Sequence, residues 1–319
     1  MTGMDAVTFG EAMAMFVAQE SGPLHRAATF VQATAGAETN VATGLARLGH
    51  RSGWVGRLGD DPLGRFIEEE LGRCGIDLSR VEIDREAPTG FQLKSRADGG
   101  DPEVVYFRRG SAGSRLVWSE QMRTYVSTAR HLHLTGIPLA ISATARDFAF
   151  QAIAAARAGG ASVSFDPNLR PSLWASEEEM VSVVNEVAML ADWVLPGVEE
   201  GRVLTGQSDP EGIAEHYLAS GVTRVVVKNG CAGAVGFGPE GTVRQGAFRV
   251  EAVDTVGAGD GFAAGLISAH LDGLGIRPAL ERAAAVGALA TTSAGDKDGL
   301  PDREGLERFL ATTSTLTLQ

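Results

Sequence analysis

The chain has 319 residues, of which 44% are hydrophobic and 21% are charged, so it has enough apolar material for a large globular core. Its formal net charge of −12 argues against a nucleic-acid partner held by a general basic field, and an anionic ligand would need local positive charge or backbone donors. No apolar run approaches the roughly 18 residues of a membrane-spanning helix, so we expect no membrane partner.

Two further features of the sequence point to the cytoplasm. The N-terminal stretch MTGMDAVTFGEAM lacks the basic segment and following apolar segment that are typical of a secretory signal. Cys74 and Cys231 are far apart, a usage typical of proteins in a reducing compartment. We therefore expect two free thiols and a cytoplasmic protein, with a single bridge between the cysteines as the alternative.

Strand-like and helix-like segments alternate along most of the chain. The first strand is predicted in AVTFGEA (6–12), followed by a helix over 39–49 that ends at Gly49. A strand in SGWVGRLGDD (52–61) and a helix over 62–75 come next, the helix having a proline near its start and a glycine at its end.

Short apolar segments continue this alternation through the second half of the chain. They lie at 129–137, 161–167, 191–197 and 223–230. Each adjoins an Ala-rich or Glu-rich helical segment, and buried strands that alternate with helices indicate βαβ units. The sequence therefore predicts an α/β fold with a mainly parallel sheet flanked by helices.

Two segments, 12–35 and 88–115, break the alternation and are typical of two-sided strands joined by turns. The stretch RADGGDPE (96–103) is a strong hairpin signal. We interpret both segments as a small β-sheet lid on an α/β core formed by 1–11, 36–87 and 116–319. One face of the lid is apolar and could pack against a second copy, so we expect a homo-oligomer, such as a dimer through the lid.

The stretch DTVGAGDGFAAG (254–265) places glycines and an acid ahead of a long apolar helix. Gly257, Gly259 and Gly261 permit backbone angles closed to other residues, and the first helical turn offers free N–H groups, so this turn is a candidate anion site. Asp260 would repel a bound phosphate unless it faces a hydroxyl that loses its proton while attacking that phosphate. A base beside an anion cradle is the minimum equipment for phosphoryl transfer to an alcohol.

Two other interpretations of this turn stay open. Asp260 could be an ordinary helix-capping acid, worth roughly 1 kcal/mol. The stretch GDGFAA (259–264) fits a loose dinucleotide-binding pattern, but the nearest following acid, Asp272, comes too early to contact a ribose. The chain has no G-x-x-x-x-G-K-[ST] sequence, which argues against a Walker-type nucleotide site.

DTVGAGDGFAAG resembles the C-terminal signature of the ribokinase/PfkB carbohydrate kinases, and AGAETNVATGLARLG (35–49) resembles their N-terminal signature. The resemblance covers essentially the whole chain, and the stretches 104–116, 132–142 and 165–176 are most similar to 2-keto-3-deoxygluconate kinases. It implies a ribokinase-like three-layer α/β/α core with a β-lid, and ATP and Mg2+ as cofactors. The implied reaction phosphorylates a primary hydroxyl of a sugar acid, converting 2-keto-3-deoxygluconate to its 6-phosphate.

The resemblance also implies roles for individual residues. Asp260 would accept the proton of the sugar hydroxyl, and the amides of Gly257, Ala258 and Gly259 would face the transferred phosphate. The implied substrate-binding residues are Gly36, Ala37, Asn40, Gln92, Tyr106, Arg108, Arg170, Asp260 and Asp296. The implied nucleotide-binding residues are Asn168, Lys228, Gly230, Gly233, Gly257 and Gly259.

The sequence departs from the family pattern in two places. In PGVEEG (196–201), Gly197 stands where the family commonly has the asparagine of an N-x-x-E motif near magnesium and phosphate. Glu200 is still present and is a candidate for binding Mg2+ through water. Phe91 and Gln92 stand where many 2-keto-3-deoxygluconate kinases carry a tyrosine, which could alter sugar recognition.

A carboxylated substrate also has an independent physical rationale. In a protein of charge −12 it needs compensation, and Arg108, Arg109 and Arg170 are candidates because a planar guanidinium suits a carboxylate. Successive strand residues point to opposite faces, so we expect Arg108 rather than Arg109 to reach the sugar. The alternatives are a kinase for a neutral sugar such as fructose or ribose, a non-catalytic sugar or nucleotide sensor and, more remotely, a nicotinamide oxidoreductase.

Overall fold

The computed structural model of the protein describes residues 3–96 and 102–315. The centre of the hairpin predicted at 96–103 falls in the gap between these ranges and lies outside the described residues. No helix in the described part of the chain is long and apolar enough to cross a membrane.

The strands within the described residues are numbered in chain order. They are β1 (Ala6–Phe9), β2 (Met13–Ser21), β3 (Phe30–Ala35), β4 (Ser52–Gly59), β5 (Val81–Asp84), β6 (Phe91–Arg96), β7 (Val104–Phe107), β8 (His131–Thr135), β9 (Ser162–Asp166), β10 (Trp193–Val194), β11 (Arg224–Lys228), β12 (Ala234–Gly238) and β13 (Gly241–Gln245).

The α-helices of the same residues are numbered likewise. They are α1 (Ala37–Arg47), α2 (Pro62–Arg73), α3 (Glu120–Ser127), α4 (Ile137–Ile141), α5 (Ala143–Ala158), α6 (Glu177–Ala188), α7 (Val198–Thr205), α8 (Pro210–Ala219), α9 (Ala258–Leu271), α10 (Ile276–Ala290) and α11 (Arg303–Thr312).

Nine of the described strands form the central sheet, in the order β13-β12-β11-β10-β9-β8-β1-β4-β5. The pairs from β11 to β5 are parallel, and β12 and β13 add an antiparallel edge. Helices cover both faces: α3, α5, α6 and α8 contribute to one apolar cluster, and α1, α9 and α10 contribute to another. The predicted α/β fold with a mainly parallel sheet is therefore confirmed.

A second sheet, in the order β3-β2-β6-β7, is formed by the other described strands. All of its strands come from the segments 12–35 and 88–115. Side chains alternate between its faces, so Gln92, Lys94 and Tyr106 line a cavity while Phe107 lies on the opposite face. The small sheet therefore covers one side of that cavity.

Local sequence signals explain where the helices of the first half begin and end. Asp61 caps α2 by accepting a hydrogen bond from the Gly64 amide, and proline occupies the first helical turn. The helix predicted over 39–49 is α1, and it is followed by Gly49 in the left-handed region at φ 85°.

Helices α1 and α9, which carry the two signature motifs, pack closely against each other. A Cβ atom on Gly44 of α1 would lie 2.7 Å from the Cβ of Ala264 of α9, closer than real Cβ contacts. Glycine at this position therefore allows the two backbones to approach, and Asn40 of α1 comes within hydrogen-bond distance of Asp260 of α9.

Candidate active site

Two neighbouring cavities meet at the glycine-rich turn. The first has a volume of about 460 Å³ and lies beneath the small sheet. The second has a volume of about 750 Å³ and a largely apolar wall that includes Phe248 and Phe262. Lys228, Thr255 and Gly259 line both cavities, so the turn forms the boundary between them.

The residues named by the sequence resemblance all line one of these two cavities. The first cavity is lined by Gly36, Ala37, Asn40, Gln92, Tyr106, Arg108, Asn168, Arg170, Glu200, Lys228, Gly257, Gly259, Asp260 and Asp296. The second is lined by Lys228, Gly230, Gly233, Ala258 and Gly259.

Asp260 lies in the first turn of α9 and is only 9% exposed. The side-chain amide of Asn40 donates a hydrogen bond of 2.8 Å to its Oδ2. Burial raises the pKa of the Asp260 carboxyl to about 8; the hydrogen bond from Asn40 opposes this shift, and the nearby carboxylates of Asp166, Glu38 and Asp296 reinforce it. A carboxyl with such a pKa holds a proton strongly enough to take one from an alcohol during a reaction.

The other polar atom of Asn40 is unsatisfied. Its Oδ1 is buried and has no hydrogen-bond partner among the described residues. Buried carbonyl oxygens are rarely left without a donor, and Asn40 lines the first cavity. A hydroxyl group in that cavity would supply the missing donor.

The backbone of the glycine-rich turn leaves amides free for an anion. Gly257 is left-handed, at φ 86°, and a Cβ atom there would lie 2.1 Å from the Asp296 carbonyl oxygen, so only glycine fits. The amides of Gly257 and Gly259 have no hydrogen-bond partner among the described residues. The Ala258 amide, predicted to be a third donor, instead donates to the Thr255 carbonyl at 3.3 Å, because the chain turns back on itself there.

Arg108 is paired inside the protein. Its Nε donates to the Glu11 carboxylate at 2.7 Å and its Nη2 approaches the same oxygen at 2.5 Å. Ser111 also donates to Glu11. Arg108 extends into the first cavity with Tyr106 at its side, whereas Arg109 is exposed.

A second ion pair joins the last residues of β9 and β11. Nζ of Lys228 lies 2.5 Å from Oδ2 of Asp166. Burial disfavours the charge of Lys228, but the carboxylate of Asp166 raises the pKa of the lysine above its ordinary value. Arg170, in the loop that follows β9, is exposed and lines the first cavity.

Glu200 holds two pieces of backbone in place. One of its carboxylate oxygens accepts from the Leu169 amide and the other accepts from the Gly197 amide, each at 2.8 Å. Gly197 begins α7, so the helix starts without the side chain of the family's usual asparagine. Within the described residues, no group of three or more His, Cys, Asp and Glu side chains is arranged to hold a metal ion.

Sequence reasoning missed several residues of the first cavity. Glu11 and Asp166 follow or end parallel strands, and the carboxyl ends of such strands are where α/β proteins bind ligands, so position alone could have indicated them. Lys94 lies two residues after Gln92 on β6, and side chains two residues apart on a strand point to the same face, so this spacing could have indicated Lys94.

Comparison with known proteins places these features in a family context. The family model for pfkB family carbohydrate kinases matches residues 4–303. A 2-dehydro-3-deoxygluconokinase from Bacillus subtilis (strain 168) is 50% identical over 317 residues, which cover 98% of this chain and 97% of the relative.

Two solved structures share the fold over almost their whole length. The PfkB protein from Polaromonas sp. JS666 matches with a TM-score of 0.88 at 49% identity, covering 96% of this chain and 99% of that one. A candidate ribokinase II from E. coli, solved in complex with ATP and Mg2+, matches with a TM-score of 0.87 at 26% identity, covering 97% and 99%.

Proposed function

Because the chain belongs to the pfkB family of carbohydrate kinases, we propose that it transfers the γ-phosphoryl group of ATP to a primary hydroxyl of a sugar acid. The proposed acceptor is 2-keto-3-deoxygluconate, also called 2-dehydro-3-deoxygluconate, and the product is its 6-phosphate. The name of the half-identical B. subtilis relative supports this acceptor. The observation that carries the proposal is the buried Asp260 carboxyl, which lies beside free backbone amides where two cavities meet.

In the proposed reaction, Asp260 takes the proton of the primary hydroxyl as the hydroxyl oxygen attacks the γ-phosphorus. A new oxygen–phosphorus bond forms, the bond from phosphorus to the bridging oxygen breaks, and ADP leaves with that electron pair. The amides of Gly257 and Gly259 would stabilise the negative charge on the transferred group.

We assign the sugar to the first cavity and the nucleotide to the second. Asn40 would bind a sugar hydroxyl through its unsatisfied Oδ1, with Gly36 and Ala37 alongside. The apolar wall with Phe248 and Phe262 suits a flat aromatic base. Gly230 and Gly233 line the second cavity and Lys228 and Gly259 line both, so these four belong to this assignment as nucleotide-binding residues. Asn168 and Gly257 line the first cavity and would contact the nucleotide only through its phosphates.

Arginine would compensate the carboxylate of the sugar acid. Arg108 uses Nε and part of Nη2 on Glu11, and a guanidinium has five N–H donors, so further donors are left for the substrate. Arg170, which lines the same cavity, would be the second cationic contact, with Gln92 and Tyr106 beside the sugar chain. Oδ1 of Asp296 accepts a hydrogen bond from Lys94, so Asp296 would contact the substrate only through its other carboxylate oxygen.

The residues of this site fit a Mg2+ ion that would be held mainly by the phosphates of the nucleotide. Mg2+ usually keeps several waters and binds one or two carboxylates together with substrate phosphates. Glu200 and Asp166 both line the first cavity and would contact it through water. When bound, it would neutralise charge on the phosphates.

The proposal also covers the oligomeric state and the cellular location. On the outer face of the small sheet, Phe107 is 48% exposed and stacks on Phe91 with ring centroids 4.6 Å apart, so this apolar face could join two copies as a dimer. Light scattering after size exclusion would contradict the dimer by giving a monomer mass. A cytoplasmic location is supported by Cys74 and Cys231, which are both free.

The deciding experiment is an ADP-release screen over sugar acids and neutral sugars, with the Asp260→Asn variant as control. We expect turnover with 2-keto-3-deoxygluconate and far less with an analogue that lacks the carboxylate. Preference for the uncharged analogue, or for fructose or ribose, would assign the chain to neutral sugars. ATP binding without turnover of any sugar would favour a sensor.

A further inference from the structure

Lys94 has its ammonium group buried between two carboxylates. It projects from the inner face of β6, and its Nζ lies 2.5 Å from Asp254 Oδ2 and 2.7 Å from Asp296 Oδ1. Lys94 is 1% exposed, Asp254 9% and Asp296 4%. Burial disfavours a charge on the lysine, but the two carboxylates raise its pKa above the ordinary value, so the ammonium form is retained.

The two acidic partners lie on either side of the glycine-rich turn. Asp254 fixes its start, because its Oδ1 accepts a hydrogen bond of 3.0 Å from the Val256 amide. The backbone of Asp296 packs against its middle, because the Asp296 carbonyl oxygen occupies the space that a Cβ atom on Gly257 would need, 2.1 Å from that position. Displacement of either acid would therefore move the amides that we assign to the phosphate.

The charges lead to the same conclusion as the geometry. Without the ammonium, two buried carboxylates would face each other beside the proposed phosphate position, and unpaired buried charges are strongly unfavourable. The pairing also joins distant elements, since Lys94 belongs to the small sheet that covers the sugar cavity and its partners belong to the loops before α9 and after α10.

We propose that Lys94 is a positioning residue for phosphoryl transfer: its ammonium holds the glycine-rich turn in the shape that receives the γ-phosphate and ties that shape to the sheet over the sugar. This inference rests on the proposed function. Lys94 touches neither reacting atom in this scheme and acts through Asp254 and Asp296.

The first test compares Lys94→Met with Arg96→Met. Arg96 lies on the same strand, is exposed and contacts the Gln19 carbonyl, so its variant removes the same charge without touching the turn. We expect Lys94→Met to lower kcat about 10²-fold while the sugar KM changes little, because a misplaced cradle affects the transition state. Arg96→Met should retain wild-type values.

The second readout separates positioning from a general loss of structure and needs no sugar. ATP and ADP affinities are measured by calorimetry for the wild type and Lys94→Met. Since only ATP carries a γ-phosphate, we expect ATP binding to weaken about tenfold and ADP binding to be nearly unchanged. An equal loss for both nucleotides would overturn the proposal.

The third readout is chemical rescue of Lys94→Ala. Truncation leaves space between two carboxylates, so ammonium or methylammonium should restore turnover in a saturable way, whereas tetramethylammonium at equal ionic strength should not. Absence of rescue by the small cations, or a kcat of Lys94→Met within about threefold of wild type, would overturn the proposal.

If Lys94→Met fails to fold, Lys94→Met/Asp254→Asn/Asp296→Asn removes the uncompensated charges as well. Wild-type turnover by this folded triple variant would overturn the proposal, and a low kcat together with weakened ATP binding and unchanged ADP binding would support it. Failure of the proposed function is distinguishable, because a wild type without sugar turnover still reports on Lys94 through the ATP and ADP affinities.

Discussion

The side-chain amide of Asn40 donates to the carboxylate of Asp260 across a distance of 2.8 Å, although 220 positions separate the two residues in the sequence. The bond joins the two signature motifs of the chain. This hydrogen bond uses Oδ2 of Asp260, whereas the buried Oδ1 of Asn40 has no hydrogen-bond partner among the described residues. The primary hydroxyl would donate its proton to Asp260, and a second hydroxyl of the sugar would donate to Oδ1 of Asn40.

Asp260→Asn should retain the fold and lose on the order of 10²–10⁴ in turnover, because an amide cannot accept the hydroxyl proton. Steady-state kinetics with 2-keto-3-deoxygluconate, together with thermal unfolding, measures both effects. A variant with unchanged melting and turnover within threefold of the wild type would exclude Asp260 as the base.

The pH dependence of kcat/KM should show a rising limb with an apparent pKa of about 8, since Asp260 is protonated below that pH in the free enzyme and cannot accept a proton. Glu38, hydrogen-bonded by Thr135, is one of the nearby acids, and burial raises its pKa to about 7. Glu38→Gln is therefore the control. If its profile loses the limb near pH 8, the base has been misassigned.

Arg108→Ala should raise the KM for the sugar acid more than it lowers kcat, because it removes binding shared by ground and transition states. It should also lower the melting temperature, since the buried Glu11 loses its cationic partner. Arg109→Ala is the matched control, as Arg109 is exposed. Equal KM values for the two variants would remove Arg108 from the sugar site.

Gly257→Ala should abolish most activity by moving the turn away from the Asp296 carbonyl. Gly273 has a similar left-handed φ of 76° but open space around its Cβ position, so Gly273→Ala carries the backbone strain alone. Backbone strain should cost both variants about 1 kcal/mol of unfolding free energy. Gly257→Ala should lose additional stability, because its Cβ atom would clash with the Asp296 carbonyl. Comparable kcat values in the two variants would argue against a role for the turn.

His133 should make the protein less stable in acid. It is fully buried on β8 and bonds to Ser164; burial lowers its pKa to about 3. Between pH 3 and 6.5 the unfolded chain binds the extra proton, so this contribution to the free energy of unfolding falls as pH decreases below about 6.5.

Asp260, whose pKa is raised, acts in the opposite direction over this range, so the wild-type curve alone is not diagnostic. The difference between wild type and His133→Leu isolates the histidine. That difference should shrink by about 2 kcal/mol between pH 7.5 and pH 5 in urea unfolding, and a constant difference would contradict a neutral buried His133.

The main elements of the site could be predicted from sequence because their signals are local. The glycine spacing around Asp260 predicts an anion-binding turn, and strand alternation separates Arg108 from Arg109. The approximate positions of the parallel strands follow from the short apolar segments that contain them. Each of these inferences depends on fewer than about twenty neighbouring residues.

The ion pairs could not be predicted in this way. Arg108 and Glu11 are 97 positions apart, and Lys94 and Asp296 are 202 apart, so only the folded chain brings them together. A single lysine in a strand pattern is usually solvated, and nothing next to Lys94 in sequence indicates two acidic partners. The Ala258 amide was assigned to phosphate for a similar reason, because spacing does not reveal which amides close the turn.

The close crossing of α1 and α9 at Gly44 and Ala264 has a consequence for how this enzyme could be redesigned. Asp260, the proposed proton acceptor, and Asn40 lie on two helices whose backbones pack too closely to shift against each other, whereas the strands β6 and β7 of the small sheet contribute side chains to the sugar cavity. Attempts to change which sugar is accepted should therefore vary Gln92 of β6 and Tyr106 of β7, which line the sugar cavity, and should retain Lys94 and both crossing helices.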